Sequence, residues 1–166
     1  MKSHFSIVVW MMVVSVFMKM AVYAANLQFT GYEKIYFFGN LFVMMVGIFF
    51  GIRLFKSIVE GKTTFLADIK TGMKVAGMYA VLMSLFVYAY YTYIDPTYFD
   101  LKLADQLKLA EGAGITGKDL QLRKETGAFV LSPYFQSTVT LILYILLGVF
   151  YSSIITFFVR KVRRES

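Results

Sequence analysis

Four long apolar runs constrain this chain more than any other feature of its sequence. They cover roughly residues 5–25, 35–55, 71–94 and 134–159, and runs of this length, above about 18 apolar residues, are typical of membrane-spanning helices. Of the 166 residues, 58% are hydrophobic and only 16% are charged, so a soluble fold of this size would leave much apolar surface in water. The sequence predicts an all-α integral membrane protein, a single domain over residues 1–166 with four transmembrane helices.

The segment between the third and fourth runs, residues 96–133, is expected to form a helical cap outside the membrane. The two prolines of the chain stand at its ends, directly after Asp95 and Ser132. The residue before a proline is pushed out of the α-helical region, whereas proline itself is tolerated in the first turn of a helix. We therefore expect Asp95 to end the third span and to cap a helix that begins at Pro96. Ser132 is expected to start the fourth span in the same way.

Charged residues predict which ends of the helices face the cell interior. Basic residues are concentrated at Lys2, in residues 53–74 and in residues 160–164, whereas seven of the ten acidic residues lie in residues 26–34 and 95–133. Cytoplasmic loops of membrane proteins carry an excess of lysine and arginine. The bias predicts cytoplasmic termini and an extracytoplasmic cap. It also accounts for the net charge of +7, so no nucleic-acid partner is expected.

Small residues at helical spacing predict where the membrane helices pack closely. The second run has a GxxxG pattern, the third has a small residue at every fourth position, and the fourth has a further pair. These residues are Gly47 and Gly51, then Gly72, Ala76, Ala80 and Ser84, and finally Gly148 and Ser152. Such faces let helix backbones approach one another in a bilayer. We expect them to pack the four helices of one chain, with a homo-oligomer as the alternative.

Tyrosines followed by an Asp-Pro pair close the third apolar run and resemble the aromatic belt found at membrane–water boundaries. Within this rim, Tyr91, Tyr93, Asp95 and Pro96 are the candidate contacts for a lipid or a partner protein. Lys19, near the end of the first run, is a further candidate. Its apolar stem can carry the ammonium to the interface, where it can also pair with a carboxylate or a lipid phosphate.

The residue types that most catalytic centres need are scarce. The chain has no cysteine and one histidine, His4, so a thiolate, a serine triad and a zinc site are not expected. Asp95, Asp100 and Asp105 recur every five residues, which rotates successive side chains by about 140° and distributes them around a helix. We expect no enzymatic activity, metal or cofactor, with acid–base chemistry or ion binding by the acidic cap as the weaker alternative.

The segment from Gly51 to Asp100 resembles the bacterial four-helix membrane family known as domain of unknown function 4199. The shared elements are the turn Glu60-Gly61-Lys62-Thr63-Thr64-Phe65, the small-residue helix after it, and the ending Tyr-Thr-Tyr-Ile-Asp-Pro. The resemblance implies a bacterial inner-membrane protein whose relatives are often encoded near polyprenyl-phosphate glycosyltransferases. It thereby implies a partner role in envelope glycan assembly.

Three classes of function follow from these observations. The favoured one is a scaffold or accessory subunit of a membrane complex, because packing faces and an ordered cap suffice for it. The alternative is a protein that binds or transports a lipid phosphate through Lys19 and the aromatic rim. A small-solute transporter is third, because the cores of the four runs contain no acidic residue that would couple transport to an ion.

Overall fold

The structure is a computed structural model that describes residues 4–59 and 63–162, apart from the side chains of Glu33 and Val162. Lys2, the first three residues of the turn that begins at Glu60, and the last residues of the basic tail lie outside the described residues. The elements in chain order are α1 His4–Ala24, α2 Tyr32–Ile58, α3 Phe65–Ala89, a π-helical turn Tyr90–Ile94, α4 Tyr98–Gly112, α5 Gly117–Val130 and α6 Pro133–Val162. No strand occurs in the described ranges, and the predicted all-α fold is confirmed.

Four helical segments are long and apolar enough to cross a membrane: α1, α2, α6, and α3 together with its π-helical turn. They contain between 21 and 30 residues. At 1.5 Å per residue this corresponds to about 32–45 Å, which matches or exceeds the hydrocarbon layer of about 30 Å. The chain is a membrane protein with four candidate spanning helices, as its sequence predicts.

Side-chain caps begin two of these helices. The hydroxyl oxygens of Thr64 and Ser132 each accept a hydrogen bond of 3.2 Å from the backbone amide three residues further on. Ser132 thus begins the fourth spanning helix, as the Ser-Pro pair predicts. Helix α3 begins at Phe65, whereas the third span was predicted to begin at about residue 71. Residues 65–70 therefore form the first turns of α3.

The connection from α3 to α4 differs from the prediction. Asp95 does not cap α4: the helix begins at Tyr98, Thr97 occupies its N-cap position, and no side-chain capping bond is made there. Instead, the backbone amide of Asp95 donates to the carbonyl of Tyr90 at 2.9 Å and closes the π-helical turn. In a π-helical turn, the amide bonds to the carbonyl five residues earlier and not four. Asp95 is therefore hydrogen-bonded to the end of the third spanning helix and is not part of α4.

Contacts divide the chain into two compact units. Unit 1 comprises Met1–Leu82 and Ile142–Ser166, and unit 2 comprises Met83–Leu141. Unit 1 therefore contains α1, α2 and long parts of α3 and α6. Unit 2 contains the π-helical turn, α4 and α5. The predicted single domain, residues 1–166, stays a prediction.

Small residues lie at the closest helix contacts of unit 1. A methyl group built on Gly51 would be 2.6 Å from Val75 Cγ2, and one on Gly148 would be 2.5 Å from Ala76 Cβ. Carbon atoms do not approach so closely, so these helices meet only because glycine has no side chain. The contacts join α2 to α3 and α3 to α6.

The other small residues of the predicted faces take similar places. Gly47 faces α1, and a methyl group on Gly72 would be 2.6 Å from Ser152 Oγ of α6. Ala80 is fully buried in unit 1, and Ser84 is half-buried in unit 2. The small-residue stripe of α3 therefore faces other helices along its length in unit 1.

In unit 2, α4 and α5 pack against each other as a helical hairpin. Their approach is close at Gly127, where a methyl group would lie 2.5 Å from Leu103 Cδ1. Gly114 and Gly117 have φ angles of +82° and +62°. Glycine adopts this left-handed region without strain, and the two residues turn the chain between the helices.

Candidate functional site

A buried ion cluster joins three helices at one end of unit 1. Asp68 is fully buried, its Oδ2 lies 3.0 Å from Lys56 Nζ, and it accepts a hydrogen bond of 2.8 Å from Arg160 Nε. Through Nη2, Arg160 also donates to the carbonyl and the hydroxyl oxygen of Thr63. Because charge-assisted bonds are the strongest hydrogen bonds in proteins, one carboxylate holds α2, α3 and α6 together.

Polar atoms without a protein partner continue from this cluster along α6. The hydroxyls of Ser152 and Thr156 and the Oδ1 atom of Asp68 are buried and have no hydrogen-bond partner among the described residues. Thr156 lies one turn from Arg160, so its hydroxyl faces the same side of α6. Buried polar atoms of this kind are usually satisfied by ordered water.

A second polar group lies in the interior of unit 1 and connects three helices. Tyr79 donates from its hydroxyl to Asn40 Oδ1 at 3.2 Å and is 2.6 Å from Ser15 Oγ, and all three side chains are fully buried. Asn40 Nδ2 donates to the carbonyl of Tyr36 at 3.0 Å. The ring of Tyr79 stacks on Tyr144 of α6, with centroids 5.7 Å apart. Hydrogen bonds thus join α1, α2 and α3 within apolar surroundings.

Lys19 lies inside unit 1 rather than extending to an exposed position. Its side chain is 5% exposed, and its Nζ is 5.3 Å from the centroid of the Tyr36 ring. This separation is within the range of a cation–π interaction. An aromatic face of the neighbouring helix thus receives the charge, and the place of the ammonium at the membrane interface stays a prediction.

The aromatic rim of unit 2 consists of packed rings and of two exposed ones, Tyr88 and Tyr93. Tyr91 contacts Tyr90, Tyr98 and Phe99, with ring centroids 4.9, 4.9 and 4.4 Å away. Tyr90 and Tyr98 are buried, whereas Tyr93 is 78% exposed. The packed rings therefore stabilise the junction of α3 and α4, whereas Tyr88 and Tyr93 are exposed as in an aromatic belt.

The carboxylate of Asp95 belongs to the same junction. It is buried, and its Oδ2 accepts a hydrogen bond of 3.4 Å from the hydroxyl of Tyr90. One turn into α4, Lys102 Nζ donates to the hydroxyl of Tyr98 at 2.9 Å and lies 5.1 Å from its ring centroid. Asp95 thus bonds to a side chain of the helix that it terminates.

Four large apolar side chains of the α4–α5 hairpin are exposed. In α5, every residue of which is described, none is buried. Leu122 and Phe129 are seven residues apart and so lie on one face of α5. We define the hairpin surface by the exposed residues Leu101, Leu109, Leu122 and Phe129, which are 51, 76, 64 and 61% exposed.

One family of known sequences matches nearly the whole chain. The model of the family described as "Protein of unknown function (DUF4199)" matches residues 5–161. The chain belongs to this family. The match includes the four candidate spanning helices and the hairpin, so the resemblance inferred from residues 51–100 is confirmed. No curated protein and no solved structure matches the chain.

In this DUF4199 protein, the predicted contact residues of unit 2 differ in their accessibility. Tyr91 is half-buried among other rings, and Asp95 is buried. Tyr93 and Pro96 are exposed and available to a lipid or a protein. Their role in such a contact stays a prediction.

The sequence reasoning missed the two polar groups inside unit 1 of the DUF4199 protein. Asp68 stands near the start of an apolar helix, and Ser15 and Asn40 stand within apolar runs. A polar group buried without a partner costs free energy, so each of these residues implies a partner on another helix. That signal was present in the sequence, although it does not identify the partners.

Proposed function

We propose that this DUF4199 protein is a membrane scaffold, an accessory subunit that binds a partner membrane protein through its hairpin surface. The supporting observation is the exposure of Leu122 and Phe129 on one face of α5, a helix outside the four candidate spanning segments. Apolar surface in water costs about 25 cal/mol per Å². Two large apolar side chains exposed on one helix face are therefore a candidate interaction site.

The polar groups inside unit 1 favour a static role over a moving one. Asp68 fixes three helices through charged partners, and Tyr79 fixes three helices through hydrogen bonds and contacts a fourth through its ring. Transport by alternating access needs groups of helices that rock against each other. Helices that are joined by buried ion pairs and hydrogen bonds resist such motion. A protein that serves as a fixed binding site for another protein does not need it.

The proposed partner is a second integral membrane protein of a bacterial inner membrane. The family resemblance favours a polyprenyl-phosphate glycosyltransferase of envelope glycan assembly. With both termini cytoplasmic, as the distribution of basic residues favours, the hairpin surface faces the extracytoplasmic side. It would then meet the part of the partner that emerges from the outer leaflet.

Quantitative co-purification tests the proposal. The full chain is extracted in a mild detergent, and proteins recovered with it are measured by mass spectrometry. The double variant Leu122→Glu/Phe129→Glu places charge on the hairpin surface, and Gln106→Glu/Thr126→Glu adds the same charge at exposed polar positions of the hairpin. We expect a partner near one-to-one stoichiometry with the wild type and the control, and at least a tenfold loss with the first variant.

Two outcomes would contradict the scaffold proposal. One is the absence of any stoichiometric protein, and the other is equal recovery of the partner with both double variants. Circular dichroism of the purified variants establishes that both retain their helices, so that a loss of binding is not a loss of fold.

A lipid-phosphate-binding protein is the second candidate, and the position of the ionisable Lys19 within a candidate spanning helix favours it. Ionisable side chains inside a membrane are often functional. This role predicts that a polyprenyl phosphate is retained by the purified chain and lost on Lys19→Ala or Asp95→Ala. Retention of the lipid without a stoichiometric protein would favour this candidate over the scaffold.

A further inference from the structure

Two apolar grooves lie on the two sides of α2 in unit 1. The groove between α2 and α6 has a volume of about 780 Å³, and its walls include Phe49 and Phe158. The groove between α1 and α2 has a volume of about 750 Å³, and its walls include Trp10 and Phe50. Arg53 lines both grooves, so its guanidinium group can be reached from either one.

Arg53 is available to bind an anion. Its side chain is exposed and makes no ion pair within the described part of the chain. Lys56 also lines the α2–α6 groove, but it is buried and its Nζ lies 3.0 Å from Asp68 Oδ2. An anion at these grooves would therefore meet the guanidinium of Arg53.

Along α2, Arg53 lies just inside the edge of the hydrocarbon layer, within reach of the lipid headgroups. The 27 residues of α2 span about 40 Å, so about 5 Å extends beyond a 30 Å hydrocarbon layer at each end of a centred helix. Arg53 lies about 7.5 Å along the axis from the last residue, Ile58. Its stem can therefore remain beside hydrocarbon while the guanidinium reaches the phosphates.

We propose that the grooves beside α2 bind the acyl chains of an anionic phospholipid whose phosphate pairs with Arg53. The apolar walls accept any acyl chain, so the preference for a headgroup arises from the guanidinium. A guanidinium binds phosphate through two parallel hydrogen bonds. An anionic headgroup such as phosphatidylglycerol has no ammonium group to oppose this charge, whereas phosphatidylcholine has one. This site is separate from the hairpin surface of the proposed function.

The only tryptophan of the chain provides the assay. Trp10 forms part of the α1–α2 groove, so lipids with brominated acyl chains quench its fluorescence when they occupy that groove. The full chain is reconstituted in phosphatidylcholine vesicles that contain increasing fractions of brominated phosphatidylglycerol. In the reverse series, the phosphatidylcholine is brominated and the phosphatidylglycerol is not. We expect phosphatidylglycerol to bind in the groove about fivefold more tightly than phosphatidylcholine. One basic residue near the membrane surface strengthens the binding of an anionic lipid by about that factor.

Variants separate the contribution of Arg53 from general surface charge. Arg53→Gln should reduce the fivefold preference to nearly one, and Arg53→Lys should keep most of it. Lys161→Gln removes an exposed basic residue that does not line either groove, and it should leave the preference unchanged. Circular dichroism checks that each reconstituted variant has the helix content of the wild type.

Three results would overturn the proposal. Quenching in proportion to the mole fraction of each lipid would show that the groove does not select anionic lipid. An equal loss of preference in Arg53→Gln and Lys161→Gln would assign the effect to the general charge of the surface. No quenching by either brominated lipid would show that the α1–α2 groove is filled by another helix, from a second copy or from a partner.

Discussion

The carboxylate of Asp68 and the guanidinium of Arg160 meet across 92 positions of the sequence, with Oδ2 and Nε 2.8 Å apart. Lys56 approaches the same carboxylate oxygen at 3.0 Å. A buried charge is tolerated only where its partners replace the hydration that it loses. The three side chains therefore depend on each other, and the stability of unit 1 depends on this carboxylate.

Replacing Asp68 by asparagine should be strongly destabilising. The variant keeps the shape of the side chain, but it leaves the buried ammonium of Lys56 without a counter-charge. We expect the free energy of unfolding to fall by about 3 kcal/mol, at the low end for a broken buried ion pair because the Arg160 side chain is 29% exposed. Reversible denaturation of the purified protein in detergent micelles measures the change.

The control for this change is Asp105→Asn, which neutralises an exposed carboxylate of α4. It should alter the free energy of unfolding by no more than about 0.5 kcal/mol. Adding Lys56→Met to Asp68→Asn should restore part of the lost stability, because the unpaired ammonium is then removed. A similar loss for Asp68→Asn and Asp105→Asn would mean that the ion cluster does not stabilise the fold.

Removing the hydroxyl of Tyr79 tests the polar group inside unit 1. Tyr79→Phe retains the ring stacked on Tyr144 and removes the hydrogen bonds to Ser15 and Asn40. Because hydrogen bonds between membrane helices contribute about 0.6 kcal/mol on average and up to about 1.7, we expect a loss of 1–2 kcal/mol for the two bonds together. Tyr93→Phe, at a largely exposed ring, is the matched control and should be neutral.

A double-mutant cycle shows whether the Tyr79 hydroxyl acts through Ser15. Ser15→Ala removes the other partner of the 2.6 Å contact. The effects of Ser15→Ala and Tyr79→Phe should be less than additive, since either change breaks the same hydrogen bond. Strict additivity would show that the two hydroxyls do not interact.

Two glycines should respond to the same substitution with opposite signs. A methyl group on Gly148 would lie 2.5 Å from Ala76 Cβ, whereas one on Gly77 would meet no atom within 4 Å. Gly148→Ala must separate α3 from α6 and should cost about 1–3 kcal/mol. Gly77→Ala should instead stabilise the protein by up to about 1 kcal/mol, because alanine favours the helix. Unfolding of the two variants side by side in one detergent measures both effects, and a Gly148→Ala variant as stable as the wild type would contradict the close approach at Gly148.

The helices of this fold follow from the sequence because their causes are local. Apolar runs longer than the bilayer core predict the four spanning segments, and the proline after Ser132 predicts the start of α6. The end of α3 was not predictable in the same way. Asp95 has the residue type of an N-cap, but the π-helical turn from Tyr90 holds its amide, and sequence patterns do not identify such turns.

The interior contacts are less accessible to sequence reasoning because they depend on which helix faces meet. Lys19 was expected to carry its ammonium to the interface, alone or paired with a carboxylate or a lipid phosphate, and no contact with Tyr36 was expected. Its position against Tyr36 requires a particular rotation of α1 relative to α2. The same holds for Asp68, whose partners lie in α2 and α6. The pattern of apolar residues shows only approximately which face of each helix is buried. The sequence therefore indicates that a buried charged residue has a partner on another helix, but it does not identify that residue.

The side of the membrane on which the hairpin lies is the last prediction, and the absence of cysteine from the chain makes it directly testable. The distribution of basic residues predicts that α5 lies outside the cytoplasm and the end of α2 inside it. Gln121 on α5 and Val59 after α2 are both exposed, so a single cysteine can be introduced at either position. A membrane-impermeant maleimide added to intact spheroplasts should label Gln121→Cys, and it should label Val59→Cys only after the membrane is disrupted. The reverse pattern would place the hairpin surface in the cytosol, where a partner emerging from the outer leaflet cannot reach it.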